Sequence, residues 1–263
     1  MTPRKGSSSY ESKDSTLLTL PRLTDACKLN TAKCCTLKLG IVDYGKAYQL
    51  QKRLLQKHLQ GKGSNFLLLL QHNPVITIGR SGSRSNILAS RLALTAAGVE
   101  IYEIERGGDV TYHGPGQLTG YPIIDLRHFK QDIHWYLRQL EEVIVRVLAG
   151  YGIVGERMEG YTGVWVNVER QTSNVKRFEK VAAIGIAIRR WITYHGFALN
   201  VHPDMSHFEM IAPCGITDKG VTSLENLLGY RVDMDEVMDR TVSAFAEVFD
   251  VDLVHSDAIG RGS

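Results

Sequence analysis

The residues best suited to chemistry are a cysteine, a lysine and two histidines. Cys214 lies in "IAPCGI" between a proline and a glycine, a pattern typical of a turn, and a turn can present a thiol at the rim of a cavity. A nucleophilic cysteine needs a nearby cation or helix N-terminus to stabilise its thiolate. The candidate cations are Lys180, His113 and His195. A free cysteine is more often a small buried hydrophobic residue, so that alternative stays open on the residues alone.

A glycine-rich segment is a candidate for one wall of a site. "ERGGDVTYHGPGQ" (105–117) contains four glycines together with Arg106 and His113. It matches neither the G-x-G-x-x-G dinucleotide loop nor a Walker A loop. It is either the backbone wall of a ligand channel, with Arg106 and His113 as polar contacts, or a hairpin connection whose glycines adopt positive φ.

A strand of small residues follows later in the chain. "KVAAIGIAI" (180–188) has Ala182, Ala183 and Gly185 where larger residues would fill the space, which favours a groove for an extended apolar chain. Lys180 begins this stretch, and the simpler interpretation is that it marks a solvated strand end. The other histidines near His195 do not show the spacing of a metal site, so we expect no metal.

Composition excludes several function classes. The 263 residues are 43% hydrophobic and 22% charged with a net charge of +3, as in an ordinary globular protein. We therefore expect no nucleic acid and no membrane partner, although a local basic patch for an acidic protein remains open. The four cysteines show no disulfide framework and no zinc pattern, and a reducing compartment fits best.

The chain divides into three parts by composition. Residues 1–36 are expected to be a disordered leader or a targeting segment, 37–255 a single catalytic domain and 256–263 a flexible tail. Apolar periodicity predicts helices near 47–60, 132–148 and 235–249. Two short helices are also predicted, one in "ASRLALTAAG" (89–98) that ends at Gly98 and one that begins with a capping box of Thr222 and Glu225. Strands mix with helices without strict alternation, so the fold class is α/β in the broad sense: an α+β sandwich with a mixed sheet flanked by helices.

Five motifs occur in the order and spacing of one enzyme family. They are "RGGDVTYHGPGQ" (106–117), "GVWV" (163–166), "KVAAIG" (180–185), "HGFALN" (195–200) and "PCGI" (213–216). Over about residues 37–250 the chain resembles the lipoyl(octanoyl) transferases, the octanoyl-[acyl-carrier-protein]:protein N-octanoyltransferases. The resemblance implies a fold similar to the catalytic domain of lipoate and biotin protein ligases.

The resemblance also implies roles for residues. Cys214 matches the family's acyl-accepting cysteine and Lys180 its partner lysine. Three segments match the family's substrate-binding residues: Arg106, Gly107, Gly108, Asp109, Val110, Thr111, Tyr112, His113, Ala183, Ile184, Gly185, Gly196, Phe197 and Ala198.

The implied reaction moves an octanoyl group from the phosphopantetheine arm of octanoyl-acyl carrier protein to a lysine. The acceptors would be lipoyl domains of 2-oxoacid dehydrogenase complexes and the glycine cleavage H protein. No ATP, metal or other cofactor would be needed, and the enzyme would act as a monomer. The compartment would be the cytoplasm in a bacterium, and the plastid or mitochondrion in a eukaryote.

Three alternatives remain at this point. An ATP-dependent lipoate or biotin-type ligase would share the fold, but "GRSGS" (79–83) is a weak nucleotide loop. A non-catalytic acyl-binding protein and a cysteine hydrolase are the others, the last because transfer requires that water be excluded. The chain departs from the family in the loop "NVERQTSNVKRFE" (167–179), which is longer and more charged than usual.

Overall fold

A computed structural model of the protein describes residues 33–168, 177–212 and 220–255. Most of the predicted leader, all of the predicted tail, much of the charged loop 167–179 and Cys214 lie outside the described residues. Residues 33–36, which the sequence places in the leader, belong instead to the first strand, where Cys34 and Cys35 are buried.

Helices and strands of the described chain largely follow the predicted order. The helices are α1 (Tyr44–Leu59), α2 (Arg91–Ala96), α3 (Ile133–Ala149), α4 (Leu224–Leu228) and α5 (Met234–Phe249). The strands are β1 (Lys33–Val42), β2 (Asn65–His72), β3 (Val75–Ile78), β4 (Glu100–Glu103), β5 (Val110–His113), β6 (Gln117–Ile123), β7 (Val164–Val168), β8 (Arg177–Arg189), β9 (Ile192–Asn200), β10 (Gly220–Val221) and β11 (Asp252–His255).

The larger sheet is mixed, as predicted. Its order is β10-β8-β9-β6-β2-β1-β11, with β7 paired to the other side of β8. The β8–β9–β6–β2 part is antiparallel, whereas β1 runs parallel to both β2 and β11. The strand β2 is central, and its side chains alternate between cores on the two faces, which explains the continuous apolar run in its sequence.

Helices cover both faces of this sheet. On one face α1 buries the predicted residues Ala47, Leu50, Leu54 and Leu55 against β1, β2 and β6. On the other, α3 and α5 pack together over β2, β6, β8 and β9. The apolar stripe of α3 has a second use, because Ile133 at its start is 47% exposed and lines a cavity.

A small second sheet, in the order β4-β3-β5, lies beside the large one. The sequence predicts β2 and β3 as neighbouring strands around an Asn-Pro turn, and both exist, but they belong to different sheets. The turn therefore carries the chain from the large sheet to the small one. The small sheet has its own core with α2, centred on Ile76, Leu94 and Tyr112.

Two local predictions are wrong. The cap of α4 is Ser223, whose hydroxyl accepts from the amide of Asn226 at 3.2 Å, whereas the amide of Thr222 donates to the carbonyl of Lys180 on β8. The sequence predicts no disulfide framework and favours a reducing compartment, yet Cys35 is disulfide-bonded, whereas Cys34 is free and buried. In the described ranges, none of the helices combines the length and apolar character needed to cross a membrane.

Candidate active site

A cavity of about 590 Å³ is lined by strands of both sheets. The strands β8 and β9 of the large sheet contribute to it, together with β5 of the small sheet and the preceding segment 106–109. All the predicted substrate-binding residues except Tyr112 line this cavity, and so does Lys180. The fold thus brings three distant sequence motifs to one place.

The floor of the cavity consists of very small residues on two paired strands. Ala183 of β8 lies directly opposite Ala198 of β9, and Gly185 lies opposite Gly196. Such pairs leave a shallow trough between bulkier neighbours, which suits an unbranched apolar chain.

The two glycines of this floor are nevertheless required by the protein itself. A Cβ on Gly185 would lie 2.9 Å from Cδ of Arg106. A Cβ on Gly196 would lie 2.2 Å from the carbonyl oxygen of Gly120. The interpretation that these glycines leave room for a ligand is therefore wrong for their own Cβ positions, and the alanine pair forms the open part of the floor.

The opposite wall is the glycine segment, and its first two glycines differ. Gly108 has φ of +85°, a left-handed conformation that side chains other than glycine rarely adopt. Gly107 has no such φ, and among the described residues a Cβ there would meet only the carbonyl oxygen of Ile186, at an ordinary 3.5 Å. Gly107 also lines the cavity, so the described residues leave room for a methyl group at this position.

The segment 79–81 clamps this glycine wall. The amides of Gly79, Arg80 and Ser81 donate to carbonyls of the wall at 3.1, 2.9 and 3.2 Å. These carbonyls belong to Asp109, Arg106 and Gly108 respectively. These three backbone amides of "GRSGS", the candidate nucleotide loop, are therefore hydrogen-bonded within the protein.

Arg106 is a buried structural cation as well as a lining residue. Its Nη2 donates to the carbonyl oxygen of Thr77 at 2.7 Å and to the Thr77 hydroxyl at 2.9 Å. Its Nη1 donates to the carbonyl oxygen of Gly107 at 3.0 Å. These bonds tie the start of the wall to β3, so the side chain shapes the cavity more than it presents a charged edge.

Tyr112 is the one predicted residue that turns away from the cavity. Its side chain lies in the core of the small sheet, and its hydroxyl is hydrogen-bonded to Nδ1 of His207 at 2.6 Å. The alternation of β5 points Thr111 and His113 toward the cavity and Val110 and Tyr112 toward the core of the small sheet, where Val110 still borders the cavity.

Lys180 lies inside β8 and is half-buried, so the interpretation as a solvated strand end is wrong. The register between β7 and β8 shifts between Val164 and Trp165, and this bulge places Trp165 directly opposite Lys180. Nζ of Lys180 lies 4.6 Å from the centroid of the Trp165 ring. The aromatic face holds the ammonium at the cavity wall by a cation–π contact.

His113 is neutral and fixed in one tautomer. Burial, together with the charges of His72 and Arg106, holds its pKa well below its usual range. The side-chain nitrogen of Gln117 donates to the backbone carbonyl of Tyr112 and to Oδ1 of Asn200. The side-chain oxygen of Gln117 must therefore accept from Nδ1–H of His113, at 2.8 Å. Nε2 of His113 therefore carries a lone pair and is a hydrogen-bond acceptor.

The same network continues to the lysine. Nδ2 of Asn200 donates to the carbonyl of Thr222 at 3.0 Å, and the amide of Thr222 donates to the carbonyl of Lys180 at 3.0 Å. Gln117 and Asn200 are the last residues of two quoted motifs, yet the sequence prediction omits both from the site. Their position at the ends of the two motifs is the signal by which they could have been found.

His195 is also neutral. Burial lowers its pKa to about 3, against an opposing contribution from Glu105. Its φ of +57° is unusual inside a strand, and its backbone amide donates to the side chain of Gln51 on α1 at 2.8 Å. Of the three cations suggested by the sequence, the two histidines are thus uncharged near neutral pH, and Lys180 is the one that remains.

Cys214 lies outside the described residues, but the chain on both sides of it reaches the cavity. Ile211 and Gly220 both line the cavity. The amide of Ala212 donates to the carbonyl of Asn86 at 2.8 Å, and the Asn86 side chain donates to Asp109 at 2.6 Å. Asn86, which the sequence prediction missed, links the approach to Cys214 with the glycine wall.

Within the part of the chain that the structure describes, there is no cluster of side chains able to hold a metal ion. His202 and His207, which follow His195 in the sequence, make other contacts. His207 bonds Tyr112, and the carbonyl of His202 lies against Gly116.

Comparison with known proteins identifies the family. The model of the lipoyl protein ligase A/B catalytic domain matches residues 43–246. The octanoyltransferase of Solibacter usitatus is 48% identical over 221 residues, which are 84% of this chain and 95% of that protein. The octanoyltransferase of Nostoc punctiforme is 46% identical over 224 residues, 85% of this chain and 91% of that protein.

The chain belongs to the octanoyltransferase family. It is therefore an acyltransferase, and the resemblance drawn from the five motifs is confirmed. The likeness extends over nearly the whole length of each of these two relatives.

Solved structures support the fold. A lipoate-protein ligase A bound with ATP superimposes with a TM-score of 0.64 at 18% identity, covering 88% of this chain and 90% of the other. A bipartite lipoate protein ligase from Thermoplasma acidophilum gives a TM-score of 0.64 at 18% identity, covering 88% of each chain. The octanoyltransferase family thus shares its sheet and helix layers with lipoate ligases, as the sequence predicts.

Proposed function

We propose that this protein transfers an octanoyl group from octanoyl-acyl carrier protein to a lysine of a lipoyl domain. The acyl group would pass through a thioester on Cys214. The observation that carries the proposal is Lys180, held at the cavity wall by Trp165 beside the Ala183–Ala198 floor, while both candidate histidines are neutral. The apolar floor suits the hydrocarbon part of an octanoyl group. The Lys180 cation beside it suits the reacting end, where the proposed Cys214 thiolate meets the acyl carbonyl.

In the first step, the Cys214 thiolate attacks the carbonyl carbon of the acyl thioester. The bond from that carbon to the sulfur of the carrier arm breaks, and the leaving thiolate takes a proton from the Lys180 ammonium. As an ammonium, Lys180 favours the Cys214 thiolate beforehand by charge. One thioester replaces another, so this exchange is close to balanced in free energy.

In the second step, the amine of the acceptor lysine attacks the acyl-enzyme. The carbon–nitrogen bond forms, the bond to the Cys214 sulfur breaks, and Lys180 as amine takes the proton that the nucleophile loses. Conversion of a thioester to an amide is downhill, so no ATP, metal or other cofactor enters the proposed reaction. The proposed acceptors are lipoyl domains of 2-oxoacid dehydrogenase complexes and the glycine cleavage H protein.

Intact-protein mass measurement after mixing with octanoyl-acyl carrier protein tests this proposal. We expect an octanoyl adduct on the wild type that moves to a lipoyl domain without ATP and is absent from Cys214→Ser. Cys34→Ser is the matched control, because the Cys34 thiol is buried and its pKa is raised by burial, so its loss should leave the adduct intact. Absence of an adduct, with transfer only when ATP is added, would instead favour ligase chemistry.

A further inference from the structure

The segment 80–92 forms an unusual surface, which we call the 80–92 surface. Leu88 is 63% exposed and Leu92 is 81% exposed. The apolar residues that the core of the small sheet needs from this region are Ile87 and Leu94, which pack inward. The two exposed leucines are therefore not explained by the packing of the small sheet, and with basic residues beside them in the sequence they offer an apolar contact to a partner.

The charge of this region is one-sided. From Gly79 to Val99 the sequence holds Arg80, Arg84 and Arg91 and no acidic residue. Arg84 is paired with Glu103 at 2.7 Å. Arg80 and Arg91 are exposed and have no ion-pair partner among the residues that the structure describes. Basic side chains around exposed leucines complement an acidic surface that offers apolar side chains of its own.

The 80–92 surface is continuous with the cavity wall. The amide of Leu88 donates to the carbonyl of Met210 at 2.8 Å, and Ile87 forms a β-bridge with Ile211. Ile211 and Phe208 line the cavity. A partner bound to the two leucines would thus sit beside the part of the cavity that Phe208 and Ile211 line.

That position distinguishes between the two substrates of the proposed reaction. An acceptor lysine has a short four-carbon stem, so a lipoyl domain must bind at the opening itself. A carrier protein holds its acyl group on a long flexible arm and can bind to one side. A surface beside the cavity therefore fits the partner with the longer reach.

We infer that the 80–92 surface docks the acyl carrier protein, an acidic helical domain, through Leu88, Leu92, Arg80 and Arg91. This inference rests on the proposed function, and it adds the site at which the octanoyl donor binds. The arginines would accelerate encounter, and the leucines would hold the carrier while its arm enters the cavity.

Steady-state kinetics with both substrates varied tests the inference. The variants are Leu88→Glu/Leu92→Glu and Arg80→Glu/Arg91→Glu, and the control is Tyr230→Glu, at a tyrosine that is 60% exposed and does not line the cavity. We expect the KM for octanoyl-acyl carrier protein to rise at least about tenfold in both double variants, with kcat and the KM for the lipoyl domain unchanged. Added salt should raise the wild-type KM for the carrier toward that of the arginine variant.

A second donor separates docking from chemistry. Octanoyl-pantetheine has the end of the arm but no carrier protein, so the variants should use it as well as the wild type does. An unchanged KM for the carrier, a rise in the KM for the lipoyl domain instead, or an equal loss with octanoyl-pantetheine would each overturn the inference. If the wild type forms no adduct from either donor, the proposed function fails, and the Kd of carrier protein for wild type and variants still decides the docking question.

Discussion

The floor of the cavity on β8 and β9 and its glycine wall both contain glycines, but for different reasons. On β8 and β9, the space above Gly185 and Gly196 is taken by Arg106 and by the backbone of Gly120. On the glycine segment, among the residues that the structure describes and apart from its two chain neighbours, the nearest atom to a Cβ on Gly107 is the carbonyl oxygen of Ile186 at 3.5 Å. A glycine that lines a cavity is therefore there for a ligand only when the protein does not itself fill the missing side chain.

The largest effect should come from Gly196→Ala. The added methyl would lie 2.2 Å from the carbonyl oxygen of Gly120, where two strands of the large sheet pair and cannot easily separate. We expect the free energy of unfolding to fall by about 3 kcal/mol, measured by urea denaturation. A loss of transfer with unchanged stability would show that the space above Gly196 belongs to the ligand after all.

Each wall also carries a buried neutral histidine, and these make the fold sensitive to acid. The unfolded chain protonates His195 near its ordinary pKa, whereas burial lowers the folded pKa to about 3. Stability from this residue is thus fully present above the unfolded pKa and is lost as pH falls below it. The free energy of unfolding should drop by about 1.4 kcal/mol per pH unit for each such histidine between about pH 6.5 and 4.5.

The comparison of His195→Asn with His134→Asn isolates this effect. Asparagine tolerates the positive φ at position 195, and His134 is exposed on α3. In His195→Asn, the slope of the unfolding free energy against pH should become shallower by about 1.4 kcal/mol per pH unit, whereas in His134→Asn the slope should not change. Equal slopes in both variants would mean that His195 titrates alike in the folded and unfolded chain.

Gly107→Ala should have the smallest effect on stability. It should nevertheless reduce octanoyl transfer. Its methyl would enter the cavity without touching the protein closely, so stability should change by no more than about 0.5 kcal/mol. Octanoyl transfer should fall about tenfold because the methyl overpacks the bound chain, and shorter acyl chains should suffer less. Transfer rates for a series of acyl lengths measure this.

Gly108→Ala is the control for that experiment. Its φ of +85° makes any side chain strained, so this variant should lose about 1 kcal/mol of stability whatever the acyl chain. If the two variants lose stability and transfer in parallel, the distinction between the walls is wrong.

The sequence predicts most helices and strands, but it does not predict which strands pair with one another. Apolar periodicity found α1, α3 and α5, since their buried faces follow from local spacing. It could not show that β2 and β3 belong to different sheets, because that depends on pairing with β6 and β5, far along the chain. The capping-box pattern likewise could not show that the amide of Thr222 donates to the carbonyl of Lys180 on β8.

The candidate site shows the same limit. Family motifs brought Lys180 and the glycine segment together correctly, whereas Tyr112 turned away because of strand alternation within its own motif. Asn86 and Trp165 gave no chemical signal in sequence, because their roles come from contacts with Asp109 and Lys180. The neutrality of His113 and His195 arises from burial, which residue type alone does not reveal.

The central claim is that Lys180, and neither histidine, supplies the charge that the proposed chemistry needs. Its most direct test is the single-turnover rate at which the carrier thiol is released, compared between the wild type, Lys180→Met, His113→Gln and His195→Asn. We expect a fall of at least about 100-fold for Lys180→Met and a much smaller change for either histidine variant. A near-normal rate in Lys180→Met, or a larger loss in a histidine variant, would contradict it.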